Sequence, residues 1–493
     1  MKTLCLLLFF IASSYLFAQD EFTLNIHETS EPDDLNPLIS RSSNAFYIQE
    51  NIFSKLLDYN AQNQTLEPVL ALQRPIIQTI TEGVFKGGLS IAYEIRPEAT
   101  WDNGSPITGH DYLFTIKAIK FKAIRSGAMR PYYQFIKDIV VNKDDPKKFI
   151  IYTKEPYFRA EESSGCETFV LPEYHYDTNL ALRQISIAEL DSEEEITDHS
   201  LLAFADTFSE EKFRSDKDYV VGSGPYQLAF WKQWRGSYVR LERKKNWWGD
   251  QVKNCPQLKA YPTAIVYKVI PDMDIALNLL KEGQLDVIRS ISPSRFSALM
   301  EGKSSKDSID FHAVNQFIYH YIGLNTKLPK LSDVRVRKAI AHAVDRKRLL
   351  EELFNGYASL ANGPMNPQQS YFNKDIPAID FNLKKSAQLL DEAGWKDKDK
   401  NGIREKIIKG KKVELEFSIL YNQGHSVRKA ILHSLRENLK EVGVNLVIDP
   451  CDFPSVLESV NTRDFESFIL AWVMSNSLYG SCLELTKTSN MKK

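Results

Sequence analysis

The sequence predicts an α/β protein of two lobes, and three observations carry that expectation. The late part of the chain alternates strand and helix in the manner of a parallel sheet. The early part has short strands set apart by polar turns, with one strong helix, and so reads as α+β. At 493 residues the chain is also long enough for more than one hydrophobic core.

The chain opens on a secretory pattern. Lys2 supplies a positive start, and Leu4 to Phe17 is apolar apart from Cys5, Ser13 and Ser14. Leu16-Phe17-Ala18 then precedes the polar Gln19, so residues 1–18 read as a cleavable signal peptide. The run is short for a membrane span, and no other run approaches the required length. Cys5 stands at the start of the apolar run, whereas a lipid-anchor signal needs a cysteine at its end. The expected product is therefore soluble and exported, which in a two-membrane bacterium means periplasmic.

Residues 19–270 form the expected first lobe. Strands are expected at Phe22 to Ile26, Leu89 to Ile95, Phe149 to Thr153 and Tyr238 to Arg243, and a helix at Asp111 to Lys122. Thr108 and Asp111 suit a capping box, with aspartate in the place of the usual glutamate. An inserted α+β subdomain is expected at approximately 60–180. The polar, acidic stretch from Arg183 to Asp218 reads as an exposed insertion.

Residues 271–475 form the expected second lobe. Ile275 to Leu280 reads as helix, and Leu285 to Ile288 as a short strand. Asp333 and Asp345 can each cap a helix, the second ending before Gly356. Val413, Leu415, Phe417 and Ile419 alternate with polar residues as a half-buried strand does. Ser426 opens a helix with Ile431, Leu432, Leu435 and Leu439 on one face, and Gly443 stops it. Val444, Leu446 and Ile448 form the next strand, so strand, helix and strand make a βαβ unit. Pro454 to Val460 reads as a helix and Phe468 to Val473 as a buried strand. Residues 476–493 read as an irregular tail.

Composition excludes several classes of function. A formal net charge of −2, with 43% hydrophobic and 26% charged residues, makes no electrostatic case for nucleic acid or an anionic membrane. Cys166, Cys255, Cys451 and Cys482 are far apart, and their pairing is left open. The nine histidines form no metal-binding spacing, and His342 on its apolar helix reads as a packed core residue. Gly222-Ser223-Gly224-Pro225-Tyr226 does not fit a nucleophile elbow. Asp397, Asp399, Asn401 and Gly402 match the first half of a calcium loop, but the position of the bidentate glutamate holds Ile408. A tight turn needs the same residues, so the expectation is a turn, with no metal, no cofactor and no catalytic group. Of the seven tryptophans, Trp472 stands out, because it falls at the C-terminal end of an expected parallel strand.

Several segments together resemble the peptide-binding family of ABC-importer solute receptors, the oligopeptide, dipeptide and nickel type (family 5). Leu35-Asn36-Pro37 looks like its LDP segment. Trp101 to Thr108 followed by Asp111 follows its W-x-DG-x-P-(V/I)-T-x-x-D element, with Asn103 in place of aspartate. Val221 to Tyr226 resembles VG-(T/S)-GPY, and Lys245 to Gly249 resembles N-x-x-YWG. Leu324-Asn325-Thr326, Asp333 to Ala339 and Asp345-Arg346 form the most specific match. Ala393-Gly394-Trp395 through Gly402 matches as well, which favours the turn at Asp397. The matches run in order from Leu35 to Trp472.

The resemblance implies a two-lobed periplasmic-binding-protein-like fold of type II (cluster C), with an extra α+β subdomain in the first lobe. It implies a receptor that closes on an oligopeptide in a cleft between the lobes and passes it to an ABC permease and ATPase complex at the inner membrane. It implies ligand-binding positions at Glu31, Tyr421, Ala471, Trp472, Val473 and Ser475. The family places an amine-binding aspartate where this chain has Ser475, while the matching acid near the N-terminus, Glu31, is present. Amine recognition therefore falls to Glu31 alone, or the ligand is another solute such as a nickel chelate, haem or an oligosaccharide. A secreted hydrolase or scaffold on the same fold is the remaining alternative. After Trp472 the family pattern continues and returns to the first lobe. The expectation here is a chain without that return, and with an exposed edge on its second sheet.

Overall fold

The computed structural model describes residues 22–473, apart from 41, 61, 64, 128, 254, 290, 303–308, 315–317, 366 and 368–371. The expected signal peptide, Ser475 and the tail lie outside the described residues. The chain divides into two compact units between Arg289 and Ser290. The boundary expected at 270 thus falls within the first unit, because the segment after Ile270 folds back on the first strand. His27 N–H donates to the Val287 carbonyl at 2.9 Å, and Asn25 N–H donates to Asp286 Oδ2 at 2.7 Å.

The first unit contains β1 (Thr23–Glu28), β2 (Leu57–Tyr59), β3 (Leu66–Pro68), β4 (Ile76–Thr79), β5 (Leu89–Glu94), β6 (Ile136–Val141), β7 (Lys148–Thr153), β8 (Tyr226–Lys232), β9 (Tyr238–Arg243) and β10 (Ala264–Val269). One sheet has the order β1-β10-β9-β8, with β1 parallel to β10 and the other pairs antiparallel. A second sheet, β4-β5-β7-β6, is antiparallel throughout and lies within 60–180. The helix Gly109–Lys120 packs against it, with the Tyr112 ring stacked on Phe149 at 5.1 Å. Its first turn carries the full capping box: Asp111 Oδ2 accepts from Thr108 N–H at 2.8 Å. Burial pushes the Asp111 carboxyl up to about 6.

The stretch from Arg183 to Asp218 is not an exposed insertion. Its helix His199–Phe208 buries Leu201, Phe204 and Phe208 in the first unit's core, where Phe204 meets Phe114 edge-on at 6.0 Å. The acidic residues that dominate the stretch lie on its outer face, and Leu201, Phe204, Ala205 and Phe208 suffice to seat the helix.

Gly222-Ser223-Gly224 forms a close crossing. A Cβ at Gly222 would lie 2.1 Å from the Ile52 carbonyl oxygen, which already accepts Gly224 N–H at 2.8 Å. The Ser223 carbonyl accepts both indole N–H groups of Trp247 and Trp248, each at 2.8 Å. The glycines are there for backbone approach, and the motif joins the helix Ser43–Ile52 to β8.

The second unit contains β11 (Ile318–Leu324), β12 (Glu405–Ile408), β13 (Lys411–Glu414), β14 (Glu416–Asn422), β15 (Asn445–Cys451) and β16 (Ser467–Val473). Its main sheet has the order β11-β16-β14-β15. β15 and β16 run parallel to β14, and β11 is antiparallel to β16. The alternating run at 413–419 is two strands rather than one. β13 forms a hairpin with β12, and Leu415 bonds to both Arg404 and Asn445 at the step into β14. One face of the main sheet packs Phe417, Ile419 and Ile469 against Leu432, Leu435 and Leu439 of the helix Ser426–Glu441. On the other, Phe468 and Leu470 pack against Val456 of the helix Phe453–Thr462. Gly443 follows the first of these helices at φ +78°, where an L side chain would be strained. Asp333 and Asp345 cap their helices as expected, accepting from Arg335 N–H at 2.9 Å and Arg348 N–H at 3.1 Å. His342 is half-buried rather than a core residue, because its Nδ1 bonds to the Asp380 carbonyl at 2.8 Å.

Candidate functional site

Because β14, β15 and β16 are parallel, their C-terminal ends share one edge of the sheet, the place where open α/β sheets take ligands. The antiparallel β11 brings its own start to that edge: Ile318 lies opposite Val473, Tyr319 opposite Trp472 and His320 opposite Ala471. The ladder between β14 and β16 holds only Ile419–Ser467 and Leu420–Phe468. Ala471, Trp472 and Val473 therefore run past β14 with no strand beside them on that side among the described residues. Their main-chain groups on that side form an open edge. Trp472 is half-buried. Tyr421, in contrast, is only 6% exposed and belongs to the core formed with Phe417 and Ile419.

A polar cluster stands beside this edge. The helix Ser426–Glu441 starts just after β14, and His425 caps it, its Nδ1 accepting Arg428 N–H at 3.3 Å. The His320 ring meets His425 edge-on at 5.9 Å and lies 6.2 Å from Phe354. Arg428 is 7% exposed and donates from Nη1 to Asn422 Oδ1, while its Nε and His320 Nδ1 have no hydrogen-bond partner.

Burial, together with the nearby Arg428 and His425, pulls His320 down to about 4. Burial and then Arg428 also lower His425. Both imidazoles are therefore neutral at pH 7, and Arg428, always protonated, is left as a buried cation. No carboxylate pairs with it among the described residues. A buried guanidinium with a free donor is costly until an anion meets it, and a carboxylate is the matching shape.

In the first unit, Glu31 follows β1 and its Oε1 accepts Trp234 N–H at 3.0 Å. Trp234 sits in the β8–β9 turn at φ +70°, with its side chain 82% exposed. Leu35-Asn36-Pro37 is a buried turn, tied by Asn36 N–H to Asp34 Oδ1 at 2.8 Å and by Leu38 N–H to Asn36 Oδ1 at 3.1 Å. Arg289 pairs with the buried Glu28 and stands over the Tyr47 ring at 3.8 Å. A cavity of about 290 Å³ in this unit holds Lys55, but Glu50 and Asp58 already compensate that charge at 3.4 and 3.5 Å.

Glu31 thus lies in the first unit, while Tyr421, Ala471, Trp472 and Val473 share one strand-end edge in the second. Sequence reasoning missed His320, His425, Asn422 and Arg428. The one local signal was a histidine at the start of a helix directly after a strand. Among the described residues Cys166, Cys255 and Cys451 form no disulfide.

Comparison with known proteins shows which family the chain falls in. Residues 66–490 match the model of the bacterial extracellular solute-binding proteins, family 5. The chain belongs to that family. Members of family 5 are solute-binding components of transport rather than enzymes, and they act outside the cytoplasm. This family 5 chain is 25% identical over 474 residues to the oligopeptide-binding protein AppA of Bacillus subtilis, covering 95% of this chain and 76% of that one. The solved structure of AppA in complex with a nonapeptide matches at a TM-score of 0.61 and 24% identity, over 92% of this chain and 80% of AppA. A periplasmic oligopeptide-binding protein of Thermotoga maritima matches at 0.70 and 20% identity, over 93% and 78%. These structures share its two-lobed, mixed α/β fold. No helix among the described residues is long and apolar enough to cross a membrane.

Proposed function

We propose that this family 5 protein is the periplasmic receptor of an ABC importer, and that it captures oligopeptides for a permease and ATPase complex at the inner membrane. The observation that carries the reading is the open main-chain edge at Ala471, Trp472 and Val473. An extended peptide satisfies such an edge as an added strand does, by main-chain hydrogen bonds that ignore side-chain identity. Arg428, beside it, supplies the charge for the peptide's carboxylate. Glu31, in the first unit, is the acid that the family resemblance assigns to the ammonium group, since Ser475 stands in place of the family's aspartate. The peptide-binding relatives support this choice of ligand.

Native mass spectrometry of the protein purified from its host, followed by calorimetry with the ligand found, tests the proposal. Co-purified peptides that rebind saturably are expected. A metal chelate, haem or oligosaccharide as the bound species, with no heat from any short peptide, would sink it.

A further inference from the structure

The loop between the helix Leu383–Glu392 and the β12–β13 hairpin brings together three carboxylates that the peptide site does not use. One carboxylate oxygen each from Asp397, Asp399 and Glu405 lie within 4.8 Å of one another. By spacing alone the loop reads as a turn, because Ile408 occupies the usual position of the strong glutamate ligand. The third carboxylate is at the ninth position of the same loop, where Glu405 opens β12 and its oxygen joins those of the two aspartates.

Glu405 is the informative member. It is 5% exposed, its Oε1 accepts Lys398 N–H at 2.9 Å, and its Oε2 is buried with no hydrogen-bond partner. A buried anionic oxygen without a partner is costly. The positive group near it is Lys412, whose Nζ pairs with Asp399 and lies 3.8 Å from Glu414. That ammonium is about half exposed and bonds Asp399, leaving Glu405 Oε2 unmet.

From this we propose that Asp397, Asp399 and Glu405 form a calcium site that pins the loop below Trp395. All three donors are hard oxygens, which suit calcium rather than a transition metal. Three negative charges on a loop with two exposed members match the weak, extracellular class of site, with a Kd of about 10⁻⁴ to 10⁻³ M. Trp395 is 1% exposed, and its carbonyl accepts Arg404 Nη1 at 2.8 Å, so the loop is tied to the core of the second unit next to the cation.

Terbium, a luminescent stand-in for calcium that a nearby indole sensitises, gives a readout independent of peptide binding. The full chain, stripped with a chelator, is titrated with terbium and then with calcium. Saturable luminescence displaced by calcium is expected, with Trp395→Phe removing the signal but not the calorimetric heat of calcium binding. Glu405→Gln, which keeps the oxygen that Lys398 N–H needs, should weaken calcium binding about tenfold. Asp399→Asn lies on the surface, cannot unfold the core, and should do the same. Lys412→Met should tighten binding by removing the competing ammonium. The proposal is overturned if calcium gives no saturable heat up to about 10 mM, if both carboxamide variants bind as the parent does, or if magnesium binds as tightly as calcium.

Discussion

Replacing Gly222 with alanine tests whether the Gly222-Ser223-Gly224 crossing holds the first unit together. The new methyl would lie 2.1 Å from the Ile52 carbonyl oxygen and 2.8 Å from its carbon. An ordinary carbon-to-oxygen contact is about 3.3 Å, so the overlap is roughly 1.2 Å. The obstacle is backbone, which cannot swing aside as a flexible side chain does. Relief requires the strand to move off the helix Ser43–Ile52, which stretches the Gly224 N–H bond to Ile52 and shifts the Ser223 carbonyl that accepts two indoles. Overpacking costs about 1–3 kcal/mol, and each weakened hydrogen bond adds about 1 kcal/mol. The sum over the three bonds is about 4–6 kcal/mol, a drop in Tm on the order of 10 °C for a unit of this size. Urea and thermal unfolding, followed by the fluorescence of the buried Trp101, Trp247 and Trp248, measure it. Gly127→Ala is the control, because its methyl meets nothing nearer than Arg130 Nη1 at 3.7 Å. If both variants melt within about 0.5 kcal/mol of the parent, the close-approach argument is wrong.

Three further outcomes concern the proposed peptide contacts and the histidine beside the binding edge. Arg428→Met should weaken peptides with a free carboxylate about 10- to 100-fold and leave their C-terminal amides nearly unchanged, as calorimetry on matched pairs will show. Glu31→Gln should reduce the advantage of a free-amine peptide over its N-acetyl form about tenfold; an unchanged ratio would remove Glu31 from amine recognition. His320 should titrate in the folded protein near 4, below its ordinary 6.5. The unfolded chain then binds a proton that the folded chain refuses between those values, so stability falls as pH drops from about 6.5 to about 4 and levels off below. His320→Asn should flatten that part of the stability curve. An NMR titration placing His320 near 6.5 in the ligand-free protein would contradict the argument.

Much of the fold was legible because it rests on short-range needs. Asp333, Asp345 and Thr108 cap helices through amides two or three residues away, and a sequence displays such neighbours directly. Gly443 ends a helix for equally local reasons. The alternation at 413–419 was visible too, but not its division into β13 and β14, because the break at Leu415 serves partners at Arg404 and Asn445. The stretch 183–218 misled for a related reason. Its composition averages over an outer face, while Phe204 and Phe208 decide where the helix sits.

The sequence by itself determined the export signal as an expectation, the two-part α/β plan, the family and the strand that carries Trp472 near its end. These follow from periodicity, caps and ordered motifs, which are properties of neighbours along the chain. Only the tertiary structure decided that β16 outruns β14 and that His320 reaches the cap of a helix about a hundred positions later. Each of these depends on strand register and on which ends of strands meet. Register is set by the packing of whole sheets against helices, which no local window of sequence records.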